Sequence, residues 1–307
     1  MSQTISQKQN EPEQIKRLQA QRMLYDEVRK IKRVRLLVTL VLNAIWVYYA
    51  TTIWHSEILV VIGSGVLMAL EYLTESLWQE RVHKKAALMQ ELFDTEVLQL
   101  PWNEDHPLIG ARPLADEVAR WAAKYNEKRY QKAPLSDWYS EKVDTIPLPY
   151  ARLCCQKSNI DWDVGLRKRY ISSYIILLAS IVAFFGIVIS LWGLAEVNKL
   201  WIFFASILPI LRIGWEATKG NFQAIENLKT MKSRIDSKWL EILQQEATED
   251  EITAASRVWQ DEIFRHRLLA PVLPRYLYDR KRPKDEQEMN RSSAALADEI
   301  RAILQKS

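Results

Sequence analysis

The chain has 307 residues, with 42 Lys and Arg against 38 Asp and Glu, a formal net charge of +4 and a mean hydropathy of −0.20. Eight glycines and the lack of any useful run of alternating apolar residues exclude a turn-rich sheet domain. Two adjacent cysteines, Cys154 and Cys155, exclude a disulfide framework and read as core filling.

The mild average conceals a sharp partition along the chain. Residues 1 to about 10 are polar and predict a disordered start. Glu11 to Arg35 is helical by pattern, with Ile15, Leu18, Tyr25 and Val28 on one stripe, and leads straight into an apolar run. Leu36 to Trp54 holds 19 residues without a charge. Some 35 residues precede it and no small-residue cleavage site follows, so it reads as a retained signal anchor. Ile58 to Leu70 is also uncharged, and its apolar character persists to Leu77. A bilayer core about 30 Å thick takes about 20 apolar residues as a helix. Residues 36–77 therefore predict a first transmembrane helical hairpin.

Residues 78–170 predict a helical cytoplasmic segment. Val82, Ala86, Met89, Phe93 and Val97 recur every three or four residues and extend the second span. That helix should stop before "LPWNEDHP", because a position before proline disfavours helix. A second helix is expected from Pro113, with Leu114, Val118, Trp121 and Tyr125 as its apolar face. A short helix over about 149–157 should follow the prolines of "DTIPLPY". In "DWD", Asp161 and Asp163 read as an N-cap and first turn before the third span, in preference to a catalytic carboxylate pair.

Ile171 to Leu194 gives 24 uncharged residues and Leu200 to Leu211 a further 12, which predict a second hairpin over 171–217. The second and fourth runs are short enough that a buried or re-entrant helix stays open for them. Residues 218–307 predict cytoplasmic helices. Ile225, Leu228, Met231, Ile235, Trp239 and Ile242 form a long stripe. Thr248 and Glu251 fit a capping box that opens the next helix, which runs to about Leu269. A last helix is expected over about 285–305. The fold expected is thus an all-α membrane protein with four spans, a cytoplasmic N-terminal helix over 1–35 and helical cytoplasmic segments.

Orientation follows from Lys and Arg beside the spans. Nine lie within residues 1–35, and Arg167, Lys168 and Arg169 precede the third run, while the linkers at His55–Glu57 and Ala195–Lys199 hold only Lys199. Both termini and the middle segment should face the cytoplasm.

Four charges fall where lipid is expected. Glu71 lies about 20 Å from the outer end of its span and Arg212 about 18 Å from the outer end of its own, at about 1.5 Å per residue. Glu75 and Glu216 match one turn further in. Either Glu71 and Arg212 pair between hairpins, or all four reach the inner headgroups independently.

Elsewhere the four histidines are scattered, without metal-ligand spacing, and no phosphate loop or nucleophile motif occurs, so neither an enzyme nor a resident cofactor is expected. Aromatic and basic residues co-occur in the middle segment. Trp102, Arg112, Arg120 and Arg152 are candidates to stack bases and pair phosphates, although a small Trp-rich core with a solvated Arg face explains them equally.

The stretches "FDTEVLQLPWN" (Phe93–Asn103) and "DWYSEKVDTIPLPYARLCCQKSNIDWDVGLRKRY" (Asp137–Tyr170), with the two-hairpin layout, resemble the SMODS-associated four-transmembrane effector family, over about 14–278. The resemblance implies a bacterial inner-membrane effector of antiphage defence. It would oligomerise with itself in the lipid bilayer, form a pore and kill the infected cell. Its activating ligand would be a cyclic oligonucleotide made by a neighbouring nucleotidyltransferase, with no nucleic acid polymer as partner. The alternative is a membrane-anchored helical scaffold without ligand gating.

Overall fold

The computed structural model describes residues 3–130, 134–192 and 197–305. Side chains at 57, 71–78, 129–130, 182, 185–186, 188–192, 197–210, 213 and 279–282 lie outside that description, Glu71 and Glu75 among them. Among the described residues the chain is all-helical, with no strand.

The expectation of a disordered start is corrected. Thr4 and Gln7 form a capping box that opens α1 (Ile5–Gln9). Ile5 is buried in the main core. Gln9 donates to the Tyr139 carbonyl at 3.1 Å and accepts from the Tyr139 N–H at 2.7 Å. Polar side chains that bond the backbone of a distant segment hold this end of the chain.

Pro12 opens α2 (Pro12–Thr52), a single 41-residue helix that joins the N-terminal stripe to the first apolar run, as expected. Among the described residues it is the one helix long and apolar enough to cross a membrane. Only 17% of its most apolar window is buried, which is unlike the core helix of a soluble protein. Leu37, Val41, Ile45 and Tyr48 lie bare on its surface.

Four residues, 53–56, connect α2 to α3 (Glu57–Val97). Ala50 packs on Val60 beside that connection, while Leu24 and Val28 meet Val82 and Ala86 far from it, so the two helices run antiparallel. The Trp46 indole N–H donates to the Leu59 carbonyl at 2.7 Å. Gly63 lies against that indole, where any Cβ would collide with the ring. The shorter apolar stretch Ile58–Leu70 forms the first part of α3. The stripe Val82, Ala86, Met89, Phe93, Val97 is buried, and the helix stops at Val97 as the proline at 101 requires.

Next come α4 (Ala115–Ala122) and α5 (Glu127–Tyr130). Val118 is the buried residue of α4; Leu114, expected on its apolar face, is 71% exposed because it precedes the first helical residue. A 3-10 turn (Glu141–Thr145) leads to α6 (Leu148–Trp192). The expected short helix and separate entry to the third run are one 45-residue helix. "DWD" therefore sits well inside α6, and its reading as an N-cap is corrected.

Antiparallel to α6 runs α7 (Val197–Leu243). The register is fixed by Arg167 on Asn221 at 2.6 Å, Lys232 on Asp161, and Lys157 on Asp236 at 2.6 Å. The Thr248–Glu251 capping box opens α8 (Glu249–Leu269), as expected. The last helix, α9 (Tyr276–Leu304), starts earlier than the sequence suggests and continues through Pro283. Buried Leu277 on one side of the proline, and a bidentate Arg169–Asp285 pair on the other, hold both halves in place.

One large core joins the α7 stripe to Phe93, Val97, Leu153, Ile160, Ile263 and Ile300. Cys154 and Cys155 are buried within it, and burial pushes the Cys154 thiol up to about 12, the behaviour of inert core thiols.

Candidate functional site

The core is crossed by a polar seam. Glu91 and Asp94 on α3 are fully buried. Arg257 of α8 donates to Glu91 at 2.9 Å, and Gln260 donates to Glu91 at 2.8 Å and to Asp94 at 3.3 Å. Asp94 also accepts from the Tyr139 hydroxyl at 2.8 Å and from Arg267. Burial alone would lower the Arg267 pKa, but the charges of Asp94 and Glu91 raise it overall. Buried charges persist where each is paired and hydrogen-bonded.

Beside this seam is a cavity of about 220 Å3, lined by α2, α3, α6, α7, α8, α9, the stretch before the 3-10 turn and the connection between α8 and α9. Its wall is strongly aromatic, with Tyr25, Trp138, Trp162 and Tyr278. The Arg29 guanidinium sits 5.9 Å from the Tyr25 ring centre and 5.6 Å from that of Tyr278, within cation–π range. The charges of the wall come in groups. Arg29 and Arg275 hold Asp26 at 2.7 and 3.1 Å, and Arg167 and His266 hold Asp163 at 3.0 and 2.7 Å. Burial would raise the Asp163 pKa, yet Arg167 and His266 hold it well below the usual carboxylate range. Burial lowers His83 to about 4, so this ring is neutral at physiological pH. An aromatic chamber whose Asp26 and Asp163 are already paired can accept a flat body with polar edges, as a nucleobase is.

Arg167 ties the site to the surrounding helices. It donates to Asp163, to Asn221 of α7 and to the Pro271 carbonyl at 3.2 Å. Gly220 faces Pro271 on the next position of α7. The connection between α8 and α9 is thus clamped on α6 and α7 together.

None of the four ligand candidates chosen from sequence lines this cavity. Trp102 is half-buried and donates to the Gly110 carbonyl at 2.9 Å. Arg112 pairs with Glu96, and exposed Arg120 pairs with Asp116 at 3.4 Å. Buried Arg152 donates to the Leu98 and Gln99 carbonyls, each at 2.7 Å, and so caps the end of α3. Arg212 donates to the Met68 carbonyl at 2.8 Å. With Glu216 it lines a separate cavity between α2, α3 and α7. The Glu71–Arg212 pairing lies outside the described residues. Sequence reasoning passed over Tyr25, Arg29, Arg167 and His266; the i, i+4 spacing of Asp163 and Arg167 was the one local signal. Among the described residues no His, Cys, Asp and Glu group is arranged to hold a metal.

These features define a class: a chain that is all-helical among the described residues, whose long helices α2, α3 and α6 carry bare apolar flanks at one end and line a polar and aromatic chamber at the other. The profile of the SMODS-associating 4TM effector domain matches residues 3–296, and the chain belongs to that family. A probable CBASS effector molecule of Bacillus cereus (strain VD146) is 24% identical over 300 residues, covering 92% of this chain and 94% of the relative. No solved structure matches the chain.

Proposed function

We propose that the chain is a membrane effector of bacterial antiphage defence. It is gated by a cyclic oligonucleotide from a neighbouring nucleotidyltransferase and permeabilises the inner membrane as a homo-oligomer. Membership of the effector family over nearly the whole chain carries this reading. The bare apolar flanks of α2, of α3 from Ile58 to Leu70, and of α6 at Ile175, Ile176 and Phe184 support insertion in lipid. Those flanks support the first three of four spans proposed over 36–77 and 171–217, and the Lys and Arg beside the runs support placing both termini in the cytoplasm.

The aromatic cavity takes one base of the ligand, and the remaining ring of phosphates extends past Arg22 and Arg275 at its wall. Its volume is below the roughly 300–1,000 Å3 of sites that enclose a whole small ligand. Binding therefore favours a state in which the connection between α8 and α9 has moved, and it shifts the equilibrium only by its differential affinity. Four helices packed about 8–10 Å apart fill their own centre, so a pore requires several chains. Glu71, Glu75 and Glu216 are the residues proposed to face that axis. No catalytic step is required.

Co-expression with a cyclic-oligonucleotide synthase tests the reading. The chain alone should be harmless. With the synthase it should collapse the membrane potential, and Trp162→Ala or Tyr278→Ala should abolish killing while the protein stays in the membrane fraction. A chain harmless in both settings would leave the scaffold alternative.

A further inference from the structure

Besides its rings and ion pairs, the aromatic chamber carries two neutral amides that the packing of the helices does not use up. Gln21 on α2 is only 7% exposed and lines the chamber. Among the described residues its side-chain amide meets no hydrogen-bond partner. A buried amide left unmade is unfavourable, so an occupant with polar edges is favoured there. Asn159 on α6 lines the same chamber. One end of its amide is engaged, with Nδ2 donating to the Tyr139 hydroxyl at 3.0 Å. Its Oδ1 meets no donor among the described residues.

The bond to Tyr139 fixes which way the Asn159 amide points. Asp94 is fully buried and takes Arg267 and Gln260 on Oδ2, so its carboxylate is surrounded by donors. The Tyr139 hydroxyl therefore gives its one proton to Asp94 Oδ1, at 2.8 Å. Burial and the Asp94 charge push this hydroxyl well above its ordinary pKa, so the proton stays in place. With that proton committed, the hydroxyl oxygen only accepts. A turned amide would set Asn159 Oδ1 against it, acceptor against acceptor. The relay from Asp94 through Tyr139 thus locks Nδ2 on the tyrosine and leaves Oδ1 as an acceptor for the chamber.

We infer that Asn159 selects the inserted base by its exocyclic amino group, which makes adenine the base that the chamber takes. The inference rests on the proposal above that the chamber holds one base of the ligand. Adenine's amino group donates to Asn159 Oδ1, and the ring nitrogen beside it accepts from the Gln21 amide. Such a donor and acceptor pair is what Asn and Gln side chains read on adenine. In the same pose hypoxanthine, guanine and uracil carry a carbonyl oxygen in place of the amino group, and it would face Oδ1 with no proton between. Cytosine shares the amino group but offers one ring, where adenine offers two, to the walls at Trp138 and Trp162. The Gln21 amide has no tie of its own, turns either way and carries no preference. Asn159 is the reading residue, and Tyr139 and Asp94 are positioning residues that act through it.

The test measures calorimetric binding to the full chain purified in detergent. The probes are cyclic di- and tri-adenylate and the matching inosinate rings, which carry hypoxanthine in place of adenine. The adenylate ring that binds should do so about 10- to 100-fold tighter than its inosinate counterpart, the cost of a buried acceptor left facing another. Tyr139→Phe frees the Asn159 amide to turn and should bring that ratio close to one. A merely structural role for Tyr139 would weaken both rings alike and leave the ratio unchanged. Asn159→Leu, at a half-buried position, should remove the preference by weakening the adenylate alone, and it decides the matter if Tyr139→Phe does not fold. Equal binding of the two rings by the parent, or an unchanged ratio in Asn159→Leu, would overturn the inference. A guanylate or uridylate ring that binds and releases dye from liposomes, with no response to the adenylates, would overturn it while leaving the effector reading in place. AMP or ATP bound as tightly as the adenylate rings would keep the amino-group reading and remove the cyclic ligand as its source. No binding of any of these rings would remove both.

Discussion

Glu91 and His83 lie on the same helix and carry opposite consequences of burial. Burial raises the Glu91 carboxyl from 4.5 to about 7, against the pull of Arg257 and Gln260. Burial lowers His83 from 6.5 to about 4. Between those values folded Glu91 keeps a proton that the unfolded chain has released, so its contribution to stability falls as pH rises from about 4.5 to 7. His83 works the other way. The unfolded chain gains a proton below about 6.5 that the folded chain refuses until about 4, so its contribution falls as pH falls. In the native protein the two slopes oppose each other. Glu91→Gln should therefore leave an unfolding midpoint that rises with pH across about 4.5 to 6.5, and His83→Gln one that falls. A Glu91→Gln scan superimposable on the parent profile would show that Glu91 does not carry the shifted proton. Neither residue was legible as half of such a pair. Helical periodicity marks which positions are buried, and it marked Met89 and Phe93 correctly. It does not say which polar positions between them turn inward, because their partners Arg257, Gln260 and Arg267 come from α8, far along the chain.

At the scale of elements, legibility followed local chemistry. The Thr248–Glu251 capping box, the stop of α3 before Pro101 and the α7 stripe are written within a few residues and were readable. The continuity of α6 and of α9 was not. Pro149, in the first turn of α6, is a true start; "DWD" imitates a second start and Pro283 a stop, yet pairs from other helices hold each of these two inside its helix: Lys232 on Asp161, and Arg169 on Asp285. The clamp between α7 and the connection after α8 belongs to the same category. A Cβ at Gly220 would lie 2.7 Å from Pro271 Cγ, and a proline ring cannot swing aside. Gly220→Leu should cost about 1–3 kcal/mol by overpacking, more than the roughly 1 kcal/mol that a better helix former returns. It should also open residues 270–275 to limited proteolysis. An unchanged midpoint with intact protection would mean that the connection is not held on α7.

For the whole molecule, the distribution of charge made the broad plan readable and left the site unreadable. The first three uncharged runs marked bare helix surfaces, while the cavity is assembled from α2, α3, α6, α7, α8, α9 and the connections before α6 and after α8, which no single window contains. The topology has its own test. Reporters fused at His55 or Asn198 should be exported and those at Asn126 or Ser307 retained inside. A cytoplasmic signal at His55 would sink the four-span arrangement.

The unbroken length of α3, α6 and α7 has a mechanical consequence. Helices of 41, 45 and 47 residues are rods of about 60–70 Å at about 1.5 Å per residue. A stiff rod converts angle into sweep: a tilt of about 5° displaces the far end of such a rod by about 5 Å, a full helical turn. An input of an ångström near a fulcrum in the cytoplasmic core would be delivered as several ångströms at the other end. Leverage of this kind works in both directions. Under the proposed function, stretch or thinning of the surrounding bilayer would reach the aromatic chamber by the same rods, so lateral tension would shift the ligand concentration at which the protein responds.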